Sequence, residues 1–255
     1  MCNKTGIAFG ERMLTESIVA GRDVVEVGSY DVNGSVRPHV ESLAPRSYLG
    51  VDITEGPRVD RVLDAQELVA QLGAESADVV ITTEMLEHVR EWATVVDNLK
   101  GLLRPGGYLL VTTRSAGFPY HAWPYDFWRY ELDDFRRIFA DMEIVALESD
   151  EAAPGVFLFA RRPEVFSRRT PGLALHSMLT GRRQRRLTDA QVAWFRATAP
   201  PRFAVARLRV RLARALRGKR VRQARRFVRQ RIVRPVWRLL PVGLRTRIKR
   251  LLGRP

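Results

Sequence analysis

Apolar residues in this chain fall in short β-branched runs separated by longer stretches at helical spacing. Val24 to Val27, Tyr48 to Asp52, roughly Val59 to Leu63, Asp78 to Thr83 and Tyr108 to Thr113 read as five successive strands. An amphipathic helix precedes the fifth and runs to Leu102-Leu103-Arg104-Pro105-Gly106-Gly107, where Pro105 stops it and Gly106 suits its C-terminal cap. Met142 to Leu147 and Val156 to Ala160, joined by Glu148 to Gly155, read as a closing hairpin. Strands alternating with helices predict an α/β fold around a mostly parallel sheet.

The polar residues that interrupt this pattern stand at the strand ends. Glu26 precedes Val27-Gly28-Ser29, a tight turn into the next helix, and open α/β sheets bind nucleotide-like ligands in the crevice beyond such a turn. The turn is not G-x-G-x-x-G, because Tyr30 and Val32 stand where further glycines are expected. Asp52 ends the second strand at a distance from Gly28 that suits a ribose hydroxyl pair. The third strand ends in Asp64-Ala65 and the fourth in Thr83-Glu84. Each has a plainer reading. Asp52 also suits a turn cap, Asp64 before Gln66-Glu67 also suits a helix N-cap, and Glu84 with His88, four apart on an expected helix start, also suits a surface pair.

In this order the motifs resemble the class I S-adenosylmethionine-dependent methyltransferases, over about residues 15 to 162. In that family an E/D-x-G loop follows the first strand, an acidic residue ends the second, and L-(K/R)-P-G-G precedes the fifth. The resemblance implies a Rossmann-like, seven-stranded, mostly parallel sheet with an antiparallel last strand, and S-adenosyl-L-methionine as cofactor. It implies that Glu26 helps hold the methionyl amino group, that Gly28 and Ser29 form the turn against the ligand, and that Asp52 accepts from both ribose hydroxyls. Asp64 then accepts from the adenine amino group, the Ala65 N–H serves a ring nitrogen, and Thr83 and Glu84 border the methionine side.

A second stretch, Phe118 to Tyr130, follows the fifth strand and carries Phe118, Tyr120, Trp123, Tyr125, Phe127, Trp128 and Tyr130 around His121 and Asp126. Two prolines keep it from being a helix. It reads as an acceptor-side lid whose aromatic faces suit sugar or apolar rings, or as a satellite core over the sheet edge; one segment can do both. Its P-Y-H-x-x-P-Y-D-[FY]-W-R pattern resembles a bacterial methyltransferase group associated with cell-surface polysaccharide and glycolipid pathways. His121 is the candidate general base, since a free imidazole titrates near neutrality and a hydroxyl acceptor must lose a proton. Asp126 orients the imidazole or serves as the base itself. No metal is demanded, and the spacing of His, Asp and Glu suggests no metal-ligand cluster.

Charge divides the 255 residues sharply. The chain has 43 basic and 28 acidic residues, yet from Pro163 onward only Glu164 and Asp189 are acidic, leaving a net charge of about +25 there. Three regions are expected: a methyltransferase domain over 1–162, a connecting segment over 163–201, and a basic amphipathic helical tail over 202–255. Val205, Leu208, Leu212 and Ala215 fall at helical spacing among arginines, and Val236-Trp237-Arg238-Leu239-Leu240 forms an apolar cluster. That composition suits an anionic membrane surface; nucleic acid is the rival partner. Cys2 is the single cysteine and no apolar run spans a bilayer, so the expected location is cytoplasmic, at most peripheral on the inner membrane face. The expected acceptor is a hydroxyl on a sugar, glycolipid or other small molecule. The alternatives are an RNA methyltransferase recruited by the tail and a non-catalytic binding subunit. Against the first, the [DNS]-P-P-[FYW] loop of many amine methyltransferases is replaced by Thr83-Glu84-Met85-Leu86.

Overall fold

A computed structural model describes residues 4–122, 125–167 and 170–199. The basic tail expected over 202–255, together with Trp123, lies outside the described residues. Seven strands form one sheet: β1 (Asp23–Val27), β2 (Ser47–Asp52), β3 (Arg61–Val62), β4 (Ala77–Thr83), β5 (Leu103–Arg114), β7 (Glu143–Ser149) and β8 (Gly155–Arg161). Their order is β3-β2-β1-β4-β5-β8-β7. The first five are parallel, and β8, the last of the seven in the chain, enters antiparallel between β5 and β7. The expected mostly parallel sheet with an antiparallel last strand is therefore present.

Both faces are covered, which explains why the inner strands read as unbroken apolar runs. Val24, Val79, Ile81 and Leu110 face one side, packed with Phe9 of α1 (Lys4–Met13), Val19 of α2 (Glu16–Val19) and Val40 of α3 (Arg37–Ser42). Val25, Val27, Val80, Leu109 and Val111 face the other, packed with α4 (Leu68–Leu72), α5 (Trp92–Leu102) and α6 (Leu132–Ile138). This period of two sorts neighbouring valines to opposite layers. Strand order reverses between β1 and β4, so the loops leaving these strands part and open a crevice.

Local expectations shift in three places. Gly106 does not cap α5: the helix ends at Leu102, and residues 104–107 loop out between the Ala77–Leu103 and Val79–Tyr108 pairs, with Gly106 at φ +73°. The third strand shortens to Arg61–Val62, an exposed edge. Glu84 does not start a helix; it has φ +55°, and a single 3-10 turn follows at Leu86–His88, so Glu84 and His88 do not share a helical face. A second, three-stranded sheet joins β6 (Trp128–Arg129) to β9 (Leu175–Ser177) and β10 (Arg183–Gln184). The region after residue 162 thus returns to the aromatic segment and braces it.

Candidate active site

The first side of the crevice is built by the loops after β1 and β2. Gly28 turns with φ +80°, and a Cβ there would stand 2.8 Å from the Met85 side chain. A glycine is required by that protein contact, a reason the sequence did not reveal. Gly28 N and Ser29 N both donate to Val51 O, while Ser29 Oγ is buried without a partner in the protein. Asp52 accepts from Tyr30 N at 3.3 Å and Thr54 N at 3.0 Å, tying the two loops together. Asp31 accepts from Gly34 N at 2.8 Å and pairs with Arg58 at 2.9 Å. These carboxylate bonds fix the loop path in which Tyr30 and Val32 stand for glycines.

Glu26 lies 2 % exposed at the base of the crevice. Tyr48 donates its hydroxyl to Glu26 Oε2 at 2.8 Å, and the Arg37 guanidinium covers the Tyr48 ring at 4.6 Å. Burial pushes the Glu26 carboxyl up to about 7 against the pull of Tyr48, Arg37 and Arg58. Asp64 takes the N-cap position: it accepts from Gln66 N at 2.9 Å, and Ala65 opens the 3-10 turn Ala65–Glu67. A carboxylate oxygen retains acceptor capacity after one such bond, so capping does not remove Asp64 from the crevice edge.

Thr83 ends β4 and Glu84 follows it, both buried. Glu84 pairs with Arg114 from the end of β5, and Arg114 reaches on to Asp150 at 3.3 Å, which accepts from Thr5 of α1 at 2.7 Å. Burial and the neighbouring Glu87 carboxylate push Glu84 up to about 8, opposed by Arg114. A left-handed residue other than glycine costs about 1 kcal/mol or more, and this buried pair holds it in place.

The opposite side is the aromatic segment, and its residues divide. Phe127, Trp128 and Tyr130 are buried in the core, while Phe118, Tyr120 and Tyr125 keep exposed surface. Trp128 Nε1 donates to Arg90 O, and the Tyr130 hydroxyl to Leu86 O, anchoring the segment over the end of β4. Within it, Asp126 is fully buried and receives Arg129 on both oxygens, at 2.5 and 2.8 Å. Arg129 also donates to Phe118 O and Pro119 O, so it staples the loop shut. Asp126 Oδ2 stands 3.0 Å from His121 Nδ1 and accepts from His121 N at 2.9 Å. Though burial opposes ionisation, Arg129 and His121 hold Asp126 below the usual carboxylate range. Its contacts with the His121 backbone and side chain place the carboxylate beside the imidazole.

Three contributors escaped the sequence reading: Arg129, Arg114 and Glu87. Arg129 sits three residues from Asp126, a spacing that was the available signal. Glu87 is buried and accepts from Thr113 Oγ1 at 2.8 Å. The expectation of no metal-ligand cluster also needs correction: among the described residues, ligand atoms of Glu87, His88 and His121 lie within 4.8 Å of one another. Spacing hid the group because His121 joins it from another loop.

A family model described as a methyltransferase domain matches residues 8–143. Over 111 residues the chain is 33% identical to the ubiquinone biosynthesis O-methyltransferases of Acinetobacter baumannii (strain AYE) and Acinetobacter baylyi, covering 37% of this chain. The match spans only 45% and 44% of those two relatives. Among solved structures, a 1,6-didemethyltoxoflavin-N1-methyltransferase of Burkholderia thailandensis superposes with a TM-score of 0.52 at 16% identity, over 63% of this chain and 80% of that one. That likeness concerns the fold.

Proposed function

This chain belongs to the methyltransferase domain family, and from that premise we propose that it moves a methyl group from S-adenosyl-L-methionine to a hydroxyl oxygen of a small molecule. The crevice fits the cofactor through its unspent polar groups. Glu26 offers a buried carboxylate to an ammonium, Ser29 Oγ lacks a partner, and Asp52 and Asp64 retain acceptor capacity for ribose hydroxyls and an adenine amine. The cofactor supplies an activated methyl on a sulfonium, which leaves the protein mainly to align and deprotonate the acceptor.

The observation that carries oxygen as the acceptor atom is the buried Arg129–Asp126–His121 line. A carboxylate accepts only, so His121 carries its proton on Nδ1 and presents the Nε2 lone pair. With the cofactor bound, Nε2 would take the hydroxyl proton as the oxygen attacks the activated methyl, and Asp126 would stabilise the imidazolium. An amine acceptor would need less such help. The oxygen-directed relatives support the same choice. For the acceptor we favour a sugar or glycolipid hydroxyl, because Tyr120 and Tyr125 of the aromatic segment keep exposed surface. The regions 1–162, 163–201 and 202–255 then divide catalysis, connection and attachment, with the tail holding the enzyme peripherally on an anionic cytoplasmic membrane face. Among the described residues no helix is long and apolar enough to cross a membrane.

Methyl transfer from labelled cofactor, screened against sugar nucleotides, lipid extracts and RNA, tests the reading. Label in a lipid or sugar fraction supports it, whereas label in RNA alone replaces it with the nucleic-acid alternative. Sedimentation with anionic but not neutral vesicles, lost on deleting 202–255, checks the attachment.

A further inference from the structure

We infer that Glu87, His88 and His121 form a binding site for one divalent transition-metal ion. The three ligand atoms come from two separate loops, the turn after β4 and the aromatic segment, yet lie within 4.8 Å of one another. Glu87 Oε1 stands 3.7 Å from His88 Nε2 and 3.9 Å from His121 Nε2, too far for hydrogen bonds.

The tautomers make this arrangement informative. His88 Nδ1 lies 2.6 Å from the carbonyl oxygen of Tyr125, which can only accept, so its proton is on Nδ1. His121 Nδ1 lies 3.0 Å from Asp126 Oδ2, off the line of a hydrogen bond, and the acceptor-only carboxylate beside it favours a proton on that nitrogen. With the rings neutral, both Nε2 atoms bear lone pairs and face a third acceptor. Glu87 is 0 % exposed, its Oε2 accepts from Thr113, and its Oε1 has no hydrogen-bond partner. Three electron-rich atoms, one of them a buried carboxylate oxygen, converge with no hydrogen bond to Glu87 Oε1 from any of the described residues. A cation resolves that conflict.

Each imidazole is already oriented through its far nitrogen, the usual outer-shell support for a metal-binding histidine. Arg129 extends that support by fixing Asp126. Two imidazoles and one carboxylate suit zinc, manganese, cobalt or iron better than magnesium or calcium, which prefer oxygen ligands. Bond lengths near 2.0–2.2 Å require the ligand atoms to close in slightly, which rotation of the two half-buried rings supplies. Three protein ligands leave a position open. An ion held there would occupy the His121 Nε2 that serves as base in the metal-free protein, so metal uptake and proton acceptance by His121 exclude one another.

The full chain, stripped with chelator, is titrated with Co²⁺ by visible absorption and with Zn²⁺ by calorimetry, without cofactor or acceptor. One equivalent should bind and give cobalt ligand-field bands. His88→Ala, His121→Ala and Glu87→Gln should each weaken binding at least tenfold, while His39→Ala, remote from the cluster, should match the parent. Circular dichroism and S-adenosylmethionine binding on the same stripped samples report folding and the cofactor crevice separately from the metal. A parent protein that takes up neither ion at about 100 μM, or a folded His88→Ala/His121→Ala double variant that binds as the parent does, overturns the inference.

Discussion

The two walls of the crevice are built by different means. On the β1–β2 side, carboxylates bind backbone N–H groups close by in the chain: Asp31 to Gly34, Asp52 to Thr54, Asp64 to Gln66. On the β4–β5 side, buried charged side chains meet across long separations, as in Glu87 with Thr113 and Arg114 with both Glu84 and Asp150. The first wall combines these local turns with a few cross-loop ties, Asp52 to Tyr30 and Asp31 to Arg58, most of them at least partly exposed. The second depends on every partner being present, because an unpaired buried charge is costly.

Breaking the second wall should therefore cost most. Arg129→Ala leaves the buried Asp126 carboxylate without its two-oxygen partner and frees two carbonyls of the loop. It should lower stability by about 3–5 kcal/mol in denaturant titration; a loss under about 1 kcal/mol would show that the aromatic packing alone holds the segment. His121→Ala removes the proton acceptor and spares the fold. Turnover should fall by about 10²-fold with cofactor affinity unchanged, and equal loss in both would move His121 to a binding role.

Changes on the first wall should be smaller and of another kind. Asp52→Ala should weaken cofactor binding by about 1–3 kcal/mol in calorimetry, with little effect on turnover at saturating cofactor. Unaltered affinity would leave Asp52 with only its loop-tying bonds. The smallest effect is a pH dependence at Glu26, raised from 4.5 to about 7 by burial. A raised acid contributes its stability fully below pH 4.5 and loses it as pH rises through about 7. A bound ammonium has the opposite preference, for the charged carboxylate. Cofactor affinity should thus rise about 3- to 10-fold from pH 6 to 8 in the parent and stay flat in Glu26→Gln. A flat parent profile would remove Glu26 from contact with the amino group.

How much was legible follows the same division. The strands of the sheet could be read because runs such as Val24–Val27 and Val79–Ile81 are buried on both faces and so leave a continuous apolar trace. The strand-end carboxylates could be placed because topology alone sets where a strand ends. Asp64 showed both of its features in sequence, and the N-cap it forms was among the readings left open. Glu84 was misread as a helix start because its left-handed backbone is imposed by Arg114, a residue 30 positions away, and by the bond from its N–H to Thr112 O. Glu87 was indistinguishable from a solvent-facing glutamate until Thr113 and the aromatic segment closed over it. Pairings of that kind have no local signature.

Gly28 and Met85 are where the two walls touch. The space that a Cβ at 28 would need is occupied by the Met85 side chain. Sequence drift at either position is therefore conditional on the other. A larger residue at 28 is admissible only in a lineage that has first shortened 85, and even then it must bear the positive φ. Tyr30 and Val32 are outside that mutual constraint, so the coupling between the two walls rests on the pair 28 and 85.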